Sequence, residues 1–157
     1  MSGPVLIANS EITEAMRAYL RHIYELSQVA EWVSNVAVAE RMGVSGTASI
    51  QMAHRLHKAG LVYYSPYRGM QLAVAGQLVA LRAIRQVRLA ECFLVEILKF
   101  HPNEVKPLAG CFCRGISQNI EDRMAELTNF PSHCPHGRPI PSRDGMMPSL
   151  APKSNQM

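Results

Sequence analysis

Between residues 10 and 28 the apolar side chains fall at Ile12, Met16, Tyr19, Leu20, Ile23, Tyr24 and Leu26. This is the spacing of a helix with one wet face. Ser10 or Thr13 can cap its start, because a hydroxyl there accepts from an otherwise unpaired backbone N–H. A short second helix is predicted over residues 35–42, with Ser34 as cap and Gly43 as stop. A third follows at once, with Ser45 as cap, residues 46–59 as body and Gly60 as stop. Only Gly43-Val44-Ser45 separates the two, and short helices joined by a tight glycine turn form the helix-turn-helix pattern.

The pattern changes after Gly60. Leu61-Val62-Tyr63-Tyr64 is β-prone, residues 65–69 read as a turn, and Met70-Gln71-Leu72 can pair back. A hairpin directly after the second helix of such a pair is a wing. Residues 74–100 read as one long helix, apolar at Leu78, Leu81, Ile84, Val87, Leu89, Phe93, Leu94, Ile97 and Leu98. These cover more than one face, so the helix needs more partner surface than a small domain offers, and a dimer interface supplies it. Pro107 suits the first turn of a last helix, predicted to run to about Thr128 with Ala109, Phe112, Cys113, Ile116, Ile120, Met124 and Leu127 on one stripe. A proline-rich loop spans residues 129–141, and residues 142–157 are expected to form a disordered tail. The fold expected is mainly α: a winged helix-turn-helix in residues 1–73, then a helical dimerisation domain in 74–141.

In a helix-turn-helix the second helix enters the DNA major groove, N-terminal residues first. Those residues here are Ser45, Gly46, Thr47, Ala48, Ile50 and Gln51. Small and hydroxyl side chains permit close approach, Gln51 can read adenine through two hydrogen bonds, and Ile50 can touch a thymine methyl. Lys58, and Arg68 at the wing tip, are placed to meet phosphates. One ambiguity stays open. Ser49, Met52, Ala53 and Leu56 form one core face that leaves Ile50 outward, whereas Ile50, Ala53, Leu56 and His57 form another that buries it.

The 157 residues are 48% hydrophobic, ordinary for a folded domain, and carry a formal net charge of +4 with a pI near 9.0. A basic balance favours polyanionic partners without proving them. There is no run of eighteen apolar residues and no charged leader before the short apolar run at residues 5–8, so the chain is read as cytoplasmic with no membrane partner. Four irregularly spaced cysteines do not make a disulfide framework. No Ser-His-Asp pattern, phosphate loop or paired catalytic carboxylates stands out, which argues against an enzyme.

Residues 19–26 (YLRHIYEL), 38–72 (VAERMGVSGTASIQMAHRLHKAGLVYYSPYRGMQL), 88–98 (RLAECFLVEIL) and 134–141 (CPHGRPIP) resemble the metal-dependent repressors of the diphtheria toxin repressor and manganese transport regulator family. The resemblance is collinear over residues 10–141. It implies a homodimer on a palindromic operator in double-stranded DNA, in the two-domain form without the SH3-like domain of longer relatives. It also implies an Fe(II) or Mn(II) site. At the family's ligand positions, however, this chain has Arg17, Ala18, Val87, Glu91, Lys106, Gly110, Cys113 and Arg114. Only Glu91 is a usual ligand. Arg114 puts a fixed cation where an imidazole is implied, and is expected to pair with Glu91 in place of the ion. The usual Fe(II)/Mn(II) control is therefore expected to be lost.

Cys111 and Cys113 raise a different chemistry. Two residues apart on a helix, they point about 200° from each other and cannot jointly hold an ion or form a disulfide. Cys113 then reads as a small core residue and Cys111 as incidental. The alternative is a redox, soft-metal or iron–sulfur sensor using Cys92, Cys111, Cys113 or Cys134, with Arg114 favouring the Cys111 thiolate. His133-Cys134-Pro135-His136 looks like a metal tag, but the loop belongs to the resemblance and is read as structural. A third reading is a dimeric interaction protein that no longer reads a specific DNA sequence.

Overall fold

The structure, a computed structural model, describes residues 11–148. The alternative cap Ser10 and most of the expected tail lie outside the described residues. Among the described residues, six helices and one two-stranded sheet follow in the order α1 (Glu14–Ser27), α2 (Asn35–Met42), α3 (Gly46–Lys58), β1 (Val62–Ser65), β2 (Gly69–Leu72), α4 (Val74–Glu96), α5 (Val105–Phe112) and α6 (Gln118–Leu127). The chain divides into two compact units, residues 1–83 and 84–157, and the division falls within α4.

The first unit is a winged helix-turn-helix. Thr13 caps α1, its hydroxyl accepting from the Met16 N–H at 3.1 Å. Ser34 and Ser45 cap α2 and α3 in the same way. Gly43 ends α2 at φ 65, the left-handed conformation that lets the chain reverse within three residues. β1 and β2 pair antiparallel, with Val62 opposite Leu72 and Ser65 opposite Gly69. The wing is tied down by a third short segment: Val33 and Met70 exchange two backbone hydrogen bonds of 2.8 Å. A Cβ on Gly69 would stand 2.0 Å from the Val33 carbonyl oxygen, so only glycine admits this pairing. The core gathers Met16, Tyr19, Leu20, Ile23, Val38, Leu56, Leu61 and Met70.

The second unit packs the later part of α4 against α5, α6 and the following loop. Its core includes Leu89, Cys92, Leu94, Val105, Ala109, Cys113, Met124 and Ile140. Two sequence expectations are corrected here. The long helix ends at Glu96 rather than at residue 100, because the Leu98 N–H bonds back to the Phe93 carbonyl and Lys99 takes φ 63. The single helix expected over residues 107–128 is two helices. Gly115 turns at φ 70 and Ser117 starts a new helix with its hydroxyl at the Ile120 N–H. The break rotates α6, so Ile120 and Leu127 are exposed while Glu121, Met124 and Ala125 face inward.

Candidate nucleic-acid interface and metal centre

The open question on α3 is decided by burial. Ser49, Met52, Ala53 and Leu56 are buried and Ile50 is 38% exposed, so Ile50 lies on the outer face. Thr47 and Gln51 are exposed beside it, Ser45 is exposed at the cap, and Ala48 is half-buried. Asn35 donates to the Gly46 carbonyl at 3.2 Å, which fixes the start of α3 against α2. Lys58 is exposed at the last residue of α3. Arg68 sits at the wing turn with its guanidinium 5.7 Å from the centroid of the half-buried Trp32 ring, and Tyr67 beside it is almost wholly exposed. Small, polar and apolar groups on the outer face of a capped helix, flanked by cations, can read base edges and hold phosphates.

Ion pairing stiffens this unit. Glu25 on α1 accepts from Arg41 on α2 at 3.0 Å and lies 3.6 Å from His22. Burial alone would raise the Glu25 carboxyl, but the close His22 ring, the hydrogen bond from Arg41 and the nearby Arg21 charge outweigh it and hold it at about 2.

The positions at which the resemblance implies a divalent site offer little to a metal. Arg17 pairs with Glu14 at 2.7 Å, Lys106 and Arg114 are exposed, and Gly110 has no side chain. Cys113 is buried in the apolar core. Arg114 does not pair with Glu91, contrary to the sequence expectation. The nearly sealed Glu91 instead meets Arg138, whose Nη2 donates to Oε1 at 3.0 Å, and His136, whose Nδ1 lies 3.1 Å from Oε2.

A different set of donors comes together. Glu91 from α4 and Cys134 and His136 from the loop bring one ligand atom each within 4.8 Å of one another. The loop is built to do this. The Cys134 N–H bonds to the Arg138 carbonyl at 2.8 Å and the Gly137 N–H to the Cys134 carbonyl at 2.9 Å, a tight turn that turns Cys134 and His136 to one side. Two arginines of α4 hold the loop's far end: Arg88 donates to the Pro139 carbonyl, and Arg85 to the Pro141 carbonyl at 2.9 Å. Arg85 is itself held by Glu121 at 2.8 Å.

The His136 ring is informative. Its Nε2 lies 2.9 Å from the Pro102 carbonyl, which only accepts, so Nε2 carries the proton. The other nitrogen then presents a lone pair to a carboxylate oxygen. A proton between Nδ1 and Oε2 satisfies that contact, and so does a metal ion. An N–H held by a backbone carbonyl while the second nitrogen faces other donors is the usual support of a metal-ligating histidine.

The Cys134–His136 stretch, expected from the sequence to be a structural loop, also contributes two of these donors. The signal was present in the spacing, a Cys-x-His pair followed by glycine, but its third member stands far away at Glu91. The other cysteines form no cluster with these among the described residues. Cys111 on α5 is exposed, and Cys113, at the C-cap just past the helix end, is buried. Cys92 is buried and donates to the His133 carbonyl; burial, then the negative groups nearby, push its thiol up to about 12.

Residues 11–70 match the model of the iron dependent repressor N-terminal DNA binding domain. Residues 74–142 match that of the iron dependent repressor metal binding and dimerisation domain. The chain belongs to the iron-dependent repressor family. It is 30% identical over 132 residues to the iron-dependent repressor IdeR of Mycobacterium tuberculosis H37Rv, covering 84% of this chain and 57% of that protein. It is 31% identical to the diphtheria toxin repressor of Corynebacterium diphtheriae, over 85% of this chain and 59% of the other. The chain thus spans less than two thirds of these relatives. Among solved structures, a manganese-dependent transcriptional repressor in complex with manganese superposes with a TM-score of 0.79 at 32% identity, over 85% of this chain and 62% of that one. ScaR with bound Zn2+ superposes with a TM-score of 0.71 at 29% identity, over 84% and 61%. Membership of this family and the mainly helical, winged-helix fold agree with the sequence reading. No helix among the described residues is long and apolar enough to cross a membrane.

Proposed function

We propose that the chain is a homodimeric, sequence-specific DNA-binding transcriptional regulator that has lost the usual Fe(II)/Mn(II) site of its family. Its remaining metal-binding capacity is the Glu91–Cys134–His136 set. The observation that carries the DNA reading is the outer face of α3, where Thr47, Ile50 and Gln51 are exposed on a capped, buttressed helix. Ser45 and Ala48 permit close approach at its start, and Lys58 and Arg68 hold the backbone. The second unit exposes Ile97, Leu98, Phe100, Leu108 and Phe112, an apolar surface suited to a second copy of the chain. A two-fold dimer of such units would meet a palindromic operator.

The metal reading rests on the donor set. A thiol, an imidazole and a carboxylate suit Zn(II) or another borderline ion better than they suit Mn(II). A divalent ion there would supply a cross-link between α4 and the loop at residues 134–138. The arginines at positions 17 and 114 and the exposed Lys106 oppose binding at the positions the resemblance implies.

The test is selection of bound sequences from a random DNA pool, followed by affinity measurements on the winner in chelator, in Mn(II) or Fe(II), and in Zn(II). An enriched palindrome whose affinity is insensitive to Mn(II) and Fe(II) is the expected result. A large rise in affinity on adding Mn(II) or Fe(II) overturns the loss of the usual control. No enriched palindrome overturns the sequence-specific reading and leaves the dimeric interaction protein.

A further inference from the structure

Within the candidate metal set, Glu91 is not free to present both its oxygens. Arg138 Nη2 donates to Oε1 at 3.0 Å, and only Oε2 faces His136. The carboxylate is 1% exposed and the arginine side chain 32% exposed, so the pair is partly shielded from water. Arg138 comes from the same tight turn as the other two donors: its carbonyl accepts from the Cys134 N–H at 2.8 Å. The turn that delivers thiol and imidazole therefore also delivers a cation to the third ligand.

We propose that Arg138 sets the metal selectivity of this site by locking Glu91 into one-oxygen coordination beside a fixed positive charge, so that Zn(II) is taken and Mn(II) rejected. The inference rests on reading Glu91, Cys134 and His136 as a metal site. Two effects act together. The guanidinium cannot lose its proton, so it repels any divalent ion and weakens all of them. Zn(II) recovers that cost through strong bonds to thiolate and imidazole in a four-coordinate shell. Mn(II) is harder, prefers more oxygen ligands and gains less from sulfur. With Oε1 held by Arg138, a second carboxylate oxygen is withheld from it. Arg138 touches no ion itself, and is a positioning residue.

The experiment uses the full chain and Arg138→Gln, with Arg138→Lys as the conservative variant. Co(II) is titrated first, because a thiolate ligand gives it an intense charge-transfer absorption. Zn(II) affinity is then measured by competition with a chelator, and Mn(II) affinity from loss of the free-ion paramagnetic resonance signal. In Arg138→Gln the ratio of Zn(II) to Mn(II) affinity is expected to fall about tenfold, within the range found when groups supporting metal ligands are changed. Arg138→Lys keeps a charged donor at Oε1 and is expected to stay near the wild-type ratio. A general loss of folding would not lower that ratio by strengthening Mn(II) binding, and circular dichroism of each variant checks it. An unchanged ratio in Arg138→Gln, with the Co(II) band intact, overturns the role of Arg138 alone. A wild-type protein without the Co(II) band, or a band that survives Cys134→Ser, overturns the metal site and this inference with it.

Discussion

His136 stands with Nδ1 3.1 Å from Oε2 of the buried Glu91, while its Nε2 is spoken for by the Pro102 carbonyl at 2.9 Å. A neutral ring cannot donate in both directions. Either a proton or a metal joins the imidazole to the carboxylate, and the nearby Cys134 makes the second a three-donor site. Thermal unfolding separates the two. At a free Zn(II) concentration a hundred times its dissociation constant, the bound ion would add about 2.7 kcal/mol of stability. Wild-type protein is expected to gain several degrees in Tm, and Cys134→Ser and His136→Gln to gain little. An equal Tm with and without Zn(II) would leave the proton as the sole link.

The outer face of α3 makes a prediction about sequence reading. Gln51→Ala is expected to weaken operator binding by about 1–3 kcal/mol and to relax the preference at one base pair. Lys58→Ala is expected to weaken all sequences alike and to reduce the slope of log affinity against log salt by about 1. Titrations of operator and scrambled DNA at several salt concentrations check both. Equal loss on both DNAs for Gln51→Ala would place that residue on the backbone rather than the bases.

Trp32 is the chain's single tryptophan and lies under the Arg68 guanidinium. Its fluorescence is therefore expected to report wing engagement. DNA should shift the emission of wild-type protein, and Arg68→Ala should reduce both that shift and the salt slope. An unchanged DNA response in Arg68→Ala would remove Arg68 from the phosphate contacts.

Glu25 makes the acid limb of stability partly predictable. Its carboxyl is held at about 2 against an ordinary 4.5, because the close His22 ring and the Arg41 hydrogen bond outweigh the cost of burial. The folded state then binds fewer protons than the unfolded one between these values. The stabilisation is present above about 4.5 and is lost as pH falls towards 2. Glu25→Gln is expected to be less stable at neutral pH and to lose less stability over that window, as urea unfolding at a series of pH values would show.

Glu121 accepts from both Arg85, at 2.8 Å, and Gln86, at 3.1 Å, and Arg85 reaches on to the loop at Pro141. Glu121→Ala would leave a mostly buried guanidinium without its carboxylate partner, at a cost of about 3 kcal/mol. Arg85→Met together with Glu121→Leu is expected to recover much of that loss. Denaturant midpoints of the single and double variants give the comparison.

The winged helix was legible because each of its parts has a local cause. Ser34 and Ser45 cap, Gly43 turns, and the apolar spacing changes at Gly60 from helix to strand. The end of the chain was less legible. Apolar spacing runs through Cys113 to Leu127 as if one helix continued, and only Gly115 and Ser117 hint at the break. The face of α3 was underdetermined because Ala53 and Leu56 belong to both candidate stripes. Packing against α2 and β1 chose between them and put Ile50 outside.

The sequence by itself determined the order of elements from α1 to α4 and which residue types stand at the positions the resemblance implies as ligands, because these depend on residue type and short-range spacing. Only the tertiary structure decided what Glu91 meets. Residues more than forty positions apart in the chain, Glu91 on α4 and His136 and Arg138 on the loop, meet around one buried carboxylate. Arg114, which charge and alignment suggested as the partner, lies exposed beyond the end of α5. Charge complementarity alone names many partners for a buried carboxylate. The tight turn at Gly137 and the two arginines that hold the loop on α4 leave room for these.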